Sequence, residues 1–277
     1  MFRFLLVFAV AAIVSPCLAD NAPSVQTECP APFAEVAAQA SNKPVDQLTL
    51  DEILAMLRRR TSEIRSYKAN IKYLFIQDPE LLDSRTVRKG VIYYQKTDGR
   101  SHLRVNFDTI QQDDTPLRQR MEQFVFDGIS LTKIDYELKT VDVYQQAEQD
   151  NPQDVFEYIS HNFPIVGFSP TETLRKQFDI SIIEQPADRT KPVRLHLKVK
   201  PDSMYKDDYR DIDFSIDSRT WLPLRVVAQS KEEDVYDIHF LDAAVNKKFE
   251  NRVFVVETPK SFSKNIHPLQ KDREGEK

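Results

Sequence analysis

The sequence predicts a mostly β fold: an unclosed antiparallel β-barrel, or strongly curved sheet, with an N-terminal helix and a helical lid segment. Three observations point there. About ten short runs alternate apolar and polar residues with a period of two. A single capped amphipathic stretch precedes them. One apolar, proline-broken segment interrupts them. Curling or closing the sheet suits so many short strands, because it removes exposed edges.

The helix comes first. Thr49 is a good N-cap and Glu52 stands three residues on, a capping box. Leu50, Ile53, Leu54, Leu57 and Ile64 share one helical face, and Arg58, Arg59, Arg60 and Arg65 sit late, where cations suit the helix dipole. From Ser66 the period becomes two. Tyr67, Ala69, Ile71, Tyr73 and Phe75 alternate with Lys68, Asn70, Lys72, Leu74 and Ile76. A second strand covers 85–95, and Thr97-Asp98-Gly99-Arg100 reads as a hairpin turn. Strand three covers 102–107, with Leu103, Val105 and Phe107 on one face, and 108–120 reads as a polar loop containing Pro116. Strands follow at 123–126, 130–134 and 140–144, with Asp127-Gly128 turning the chain between the first two. Residues 152–177 read as interrupted helix. Their middle is apolar yet holds Pro164, Gly167 and Pro170, so it cannot be one long helix and reads as a lid or plug. The β pattern returns at 178–183, 193–199, 211–216, 222–228, 235–240 and 252–256, and Asp217-Ser218-Arg219-Thr220 reads as a turn.

The ends speak to destination. Arg3, the apolar run 4–14, Ser15-Pro16 and Ala19 follow the order of a cleavable signal peptide, too short to span a membrane. The expected divisions are a signal peptide at 1–19, a mobile leader at 20–45, a barrel domain at 46–262 and a charged tail at 263–277. Export to the periplasm follows. Cys17 leaves a lipid anchor open, but Pro16 stands where lipidation sites want a small residue, which favours a freely diffusing protein. Losing Arg3 takes the net charge from -5 to -6, and an acidic chain argues against nucleic acid. Only Cys29 then remains, so no internal disulfide supports the fold.

Chemical motifs are scarce. The five glycines are unclustered, so no phosphate loop or dinucleotide fingerprint is present. His-Glu-x-x-His, Cys-x-x-Cys and Gly-x-Ser-x-Gly are absent. His102, His161, His196, His239 and His267 are widely separated, with His196 and His239 on wet faces of strands. The acidic pairs Asp113-Asp114 and Asp207-Asp208 and the run Glu232-Glu233-Asp234 read as solvated loops. No cofactor, metal or catalytic residue is expected, although a constellation assembled only in space needs no local motif. What remains is apolar. Tyr73, Phe75, Phe107, Phe124 and Phe126 lie on one side of successive strands, which fits either a packed core or a ligand cavity.

The order of elements resembles the periplasmic carriers of the outer-membrane lipoprotein pathway, the LolA/LolB-like fold, and within it a planctomycete branch. The stretches that carry the likeness run from Met56-Leu57-Arg58-Arg59-Arg60 through Ile64-Arg65-Ser66-Tyr67-Lys68-Ala69, then Lys89-Gly90-Val91-Ile92-Tyr93, then Phe124-Val125-Phe126-Asp127-Gly128. Thr220-Trp221-Leu222-Pro223-Leu224 is similar to the family's late hairpin, and Val253-Phe254-Val255-Val256 with Pro259 to its last strand and exit. The likeness spans roughly residues 50–260. The family's Arg-Pro pair after the second strand is missing, with Arg100 a loose stand-in, and 108–120 and 145–170 are longer than the family pattern.

The resemblance implies a non-enzymatic, monomeric carrier that hides lipid or lipidated-protein cargo and exchanges it with membrane donor and acceptor proteins. Strand parity then lines the cavity with Tyr73, Phe75, Ile92, Leu103, Val105, Phe107, Phe124 and Phe126. Val155, Phe156, Ile159, Phe163, Ile165 and Phe168 would form the lid. The alternative is an envelope sensor or protein-interaction domain of the same fold, its barrel filled by its own side chains.

Overall fold

The computed structural model describes residues 43–97, 99–155, 158 and 171–269. The expected signal peptide, nearly all of the leader and most of the expected lid lie outside them.

Helix α1 (Leu50–Ser62) begins as its sequence dictates. The Glu52 amide donates to Thr49 Oγ1 at 3.3 Å, and the Thr49 amide donates to Glu52 Oε2 at 2.8 Å. Each end of the box satisfies an amide that the helix leaves unpaired. Ile53, Leu54 and Leu57 are buried, and Ile64 closes the stripe where the chain turns into the sheet.

One twelve-stranded sheet follows. Its strands are β1 (Ser66–Gln77), β2 (Ser84–Thr97), β3 (Arg100–Gln112), β4 (Arg118–Phe126), β5 (Ser130–Asp135) and β6 (Thr140–Gln145). After a short helix α2 (Thr171–Gln177) come β7 (Phe178–Glu184), β8 (Val193–Val199), β9 (Tyr209–Ile216), β10 (Pro223–Ser230), β11 (Val235–Val245) and β12 (Ser263–His267). The order across the sheet is β12-β6-β5-β4-β3-β2-β1-β11-β10-β9-β8-β7. Every neighbouring pair is antiparallel except β12 beside β6. Strands β12 and β7 are the two edges, so the barrel is unclosed.

Register explains which face is dry. Tyr67, Ala69, Ile71 and Tyr73 of β1 lie opposite Tyr94, Ile92, Gly90 and Arg88 of β2. Tyr94, Ile92 and Gly90 lie opposite Leu103, Val105 and Phe107 of β3, and the first two of those meet Phe126 and Phe124 of β4. On the other flank Tyr73 meets Ile238, Ile238 meets Val226, Val226 meets Phe214 and Phe214 meets Leu195. This continuous face turns inward and forms one core cluster with the α1 residues.

Three features depart from the sequence reading. First, 108–120 is mostly strand: β3 runs to Gln112 and β4 starts at Arg118, leaving a five-residue connection. Register shifts between Lys89 and Gly90 and between Phe107 and Thr109 mark bulges that break the alternation and mimic a loop. Second, 252–256 is not a strand. Asn251–Phe254 is a 3₁₀ turn, and the Val253 and Val255 carbonyls accept from Arg104 Nη1 at 2.8 and 3.2 Å instead of from a neighbouring strand. Third, the expected charged tail at 263–277 opens with β12 itself.

The chain between β11 and β12 is a strap across the outer face. Phe249 packs edge-on against Tyr93, Phe254 against His102, and Phe262 edge-on against Tyr136. On that face Val125, Ile134 and Val141 are buried. The sheet therefore has a second, smaller apolar patch, away from the main cluster.

Gly90 marks a close backbone approach between β2 and β3. A Cβ built there would stand 1.8 Å from the Asn106 carbonyl oxygen. Gly90→Ala must push β2 and β3 apart, with an expected loss of about 3 kcal/mol, the upper part of the usual range for one substitution. Urea denaturation of the two proteins measures it.

Candidate functional site

The candidate site is the concave face of β1–β6. All eight cavity residues expected on the strands stand on it. Tyr73, Ile92, Phe107, Phe124 and Phe126 are buried, while Phe75, Leu103 and Val105 are only partly so. Phe107 links two of its neighbours, with ring centroids 6.3 Å from Tyr73 and 6.2 Å from Phe124. Of the expected lid, Val155 is fully buried, its amide held by Ser101 Oγ at 2.8 Å. Tyr158 stacks on Phe126 at 4.1 Å. Phe156, Ile159, Phe163, Ile165 and Phe168 lie outside the described residues.

Accessibility varies along the face. On β8–β10, Leu195, Leu197, Ile212, Phe214, Ile216 and Val226 are wholly inaccessible. On β1–β3 the same face leaves Phe75, Leu103 and Val105 accessible. Ile180 and Ile182 of β7 are likewise only partly buried, while Tyr67, Ala69, Tyr73, Tyr94 and Phe107 of β1–β3 are buried, so the accessible positions are local gaps in a mostly packed face.

Toward the end that carries the β1–β2, β3–β4 and β5–β6 turns, the face becomes ionic. Arg88 Nη1 donates to Glu122 Oε2 at 2.7 Å. Arg120 Nη2 reaches Glu122 Oε1 at 3.4 Å and Asp135 Oδ2 at 3.0 Å, and its Nη1 donates to Glu137 Oε2 at 2.6 Å. Glu122 and Asp135 are nearly inaccessible. Burial opposes the Arg120 charge, but the carboxylates of Glu122, Asp135 and Glu137 outweigh it and hold its pKa above the ordinary value. A cavity of about 400 Å³ opens beside this end, lined by Ile110, Gln112, Thr115, Pro116, Leu117 and Arg118. The sequence reading singled out none of these six residues as cavity lining.

The outer face holds a juxtaposition that no linear motif announces. Ser181 of β7, His196 of β8 and Asp213 of β9 are register neighbours, and His196 Nδ1 lies 2.8 Å from Asp213 Oδ1. Among the described residues no hydrogen bond joins Ser181 to the ring. His239 likewise pairs with Asp237, at 3.2 Å. Both acids have structural partners: Arg194 approaches Asp213 at 3.5 Å, and Arg225 grips Asp237 with two bonds of 2.8 and 2.9 Å. No group of three or more His, Cys, Asp or Glu residues able to hold a metal occurs among the described residues.

Comparison with known proteins finds fold likeness only. No family model matches the sequence, and no curated protein matches it. Among solved structures, an uncharacterized conserved protein from Thermus thermophilus is 13% identical with a TM-score of 0.45, covering 78% of this chain and 98% of its own. MucB in complex with MucA(peri) is 12% identical with a TM-score of 0.40, covering 76% of this chain; this chain spans 60% of that one. A putative outer membrane lipoprotein-sorting protein domain from Vibrio parahaemolyticus is 12% identical with a TM-score of 0.36, covering 73% of this chain and 94% of its own. The structural neighbours also include LolA superfamily and DUF1329 family proteins.

Two outcomes test the electrostatics. Glu122→Ala strips a shared carboxylate from two guanidinium groups and is expected to cost about 3–5 kcal/mol, the usual penalty for breaking a buried ion pair. Glu122→Gln, which keeps one acceptor, is expected to cost less in the same chemical denaturation. The second concerns Asp237. Burial alone would raise its pKa, but Arg225 and His239 hold the carboxyl below its ordinary value. A lowered folded-state pKa contributes stability above the unfolded value of about 4, and that contribution fades as the pH falls through the folded value. Thermal melting from pH 7 to pH 3 should therefore show wild type losing more stability below about pH 4 than Asp237→Asn loses.

Proposed function

We propose that this chain is an exported, periplasmic carrier that binds acyl chains of a lipid or a lipidated protein on the concave face of β1–β6, without catalysing a reaction. The observation that supports the reading is the partly accessible pair Leu103 and Val105 on the apolar face of β3, backed by buried aromatic rings, on a sheet whose β8–β10 positions Leu195, Ile212, Phe214 and Val226 are inaccessible. Exposed acyl chains cost about 0.8 kcal/mol per methylene in water, so a protein that moves them must supply such a surface. The signal-peptide pattern at 1–19 supports export, and the position of Pro16 before Cys17 supports free diffusion. The barrel domain, on this reading, spans the helix α1 through β12, and the apolar segment 156–168 contributes to cargo binding.

A second reading, an envelope protein-interaction module, draws on the side-chain-filled β8–β10 half. Uptake of a fluorescent fatty-acyl probe by the mature protein separates the two. The carrier reading expects saturable binding, weakened about tenfold or more by Val105→Glu, which sets an unpaired charge on the apolar surface. Absence of binding by the wild type would sink it.

A further inference from the structure

Cations on the concave face of β2–β6 fall into two groups. Lys96 reaches Asp154 at 3.4 Å, Arg88 is held by Glu122, Arg118 by Glu137, and Arg120 by Glu122, Asp135 and Glu137. Lys133 is different. It faces inward from β5, opposite Phe124 of β4 and Asp142 of β6. Its Nζ lies 6.0 Å from the Phe124 ring centroid, and among the described residues no carboxylate comes within ion-pair reach of it. The carboxylate across from it is engaged elsewhere: Asp142 Oδ1 accepts from Asn265 Nδ2 at 2.8 Å and lies 3.6 Å from His267 Nε2, both on β12. Along its own strand Lys133 stands between buried Leu131 on the apolar side and buried Asp135 on the ionic side. On β5 it stands between the apolar and the ionic side chains.

We propose that Lys133 receives the anionic head of a single-chain amphiphile, a carboxylate or a phosphate, whose tail lies along the partly accessible Val105 and Leu103. This rests on the carrier reading and narrows its ligand class. The reason is desolvation. A tail seated on the face removes water from Lys133, and a neutral head leaves that ammonium without a counter-charge. An anionic head supplies one in a charge-assisted bond. The arginines offer no equal site, because a head group there must first displace Glu122, Asp135 or Glu137.

Displacement of a neutral fluorescent acyl probe tests the assignment, with palmitate, palmitoyl lysophosphatidic acid and monopalmitoylglycerol as competitors at equal chain length. Wild type should bind at least one of the two anionic competitors about tenfold more tightly than the neutral one. The acid and phosphate arms then tell which head it prefers. Lys133→Met should abolish that preference while still binding the probe, and Lys133→Arg should restore it. Equal displacement by all three in wild type, or a preference that survives in Lys133→Met, overturns the head-group assignment and leaves the carrier reading standing. Failure of the probe itself to bind overturns both.

Discussion

A twelve-stranded sheet with one continuous apolar face must turn that face away from water, and the rest of this molecule depends on how it does so. Bulges at the β2–β3 and β3–β4 ladders sharpen the local twist. Gly90 lets the β2 and β3 backbones meet where a Cβ would collide with the Asn106 carbonyl. The capped helix α1 supplies Ile53, Leu54 and Leu57 to the enclosed cluster. Without the curl those residues and the aromatic rows of β1, β3 and β4 would have no common interior.

The outer face carries a separate solution to the same problem. An open sheet leaves edges, and edges recruit other strands. Here β6 is covered by the chain's own β12. The strap that delivers β12 is tied at its root and middle: the Asn246 side chain accepts from the Arg65 amide at 2.8 Å, and Arg104 holds two strap carbonyls. Arg104 itself is positioned by Gln123 and Asn106, each at 2.8 Å. One arginine on the convex face thus links β3, β4 and the strap. Strand β7 keeps its outer edge, with α2 leading directly into it.

Much of this was legible in the residues, for physical reasons that also explain what was not. The capping box at Thr49 and Glu52 is local chemistry, and it appears as written. Strand β1 has one dry and one wet face, so its alternation is clean. Strand β5 has a core beneath it and a strap above it. Leu131 is buried inward and Ile134 outward, while Lys133 and Asp135 face inward, so alternation carries no usable signal there. The same covering hides Val125 and Val141. Segment 252–256 looked like a strand because its residues are β-formers. Its carbonyls, however, are spent on an arginine distant in sequence, which no local pattern reveals. The meeting of Arg88, Arg120, Glu122 and Asp135 depends on the register of four strands, and so does the alignment of Ser181, His196 and Asp213. Pairings of that kind become readable only once the bulges are placed.

The asymmetry of the concave face bears on how stability and function divide. A surface that must accept and release apolar cargo cannot be packed to crystal density, because no space or accessible area would be left for the ligand. A fold of this size still needs a dense core to offset its conformational entropy. On the carrier reading, inaccessible side chains on β8–β10 and partly accessible ones at Leu103 and Val105 serve these two demands within a single sheet. The buried carboxylates and guanidiniums at the turn end add direction. Their charges are paired with one another, and they make that end costly for an acyl chain to cover. On the carrier reading, an amphiphile on this surface has one favourable orientation, with its tail toward the Phe126 end and its head at the ionic boundary. On the carrier reading, Lys133 at that boundary lets the charge of the head group contribute to what binds, beside the length of the tail, whose every methylene is worth about 0.8 kcal/mol.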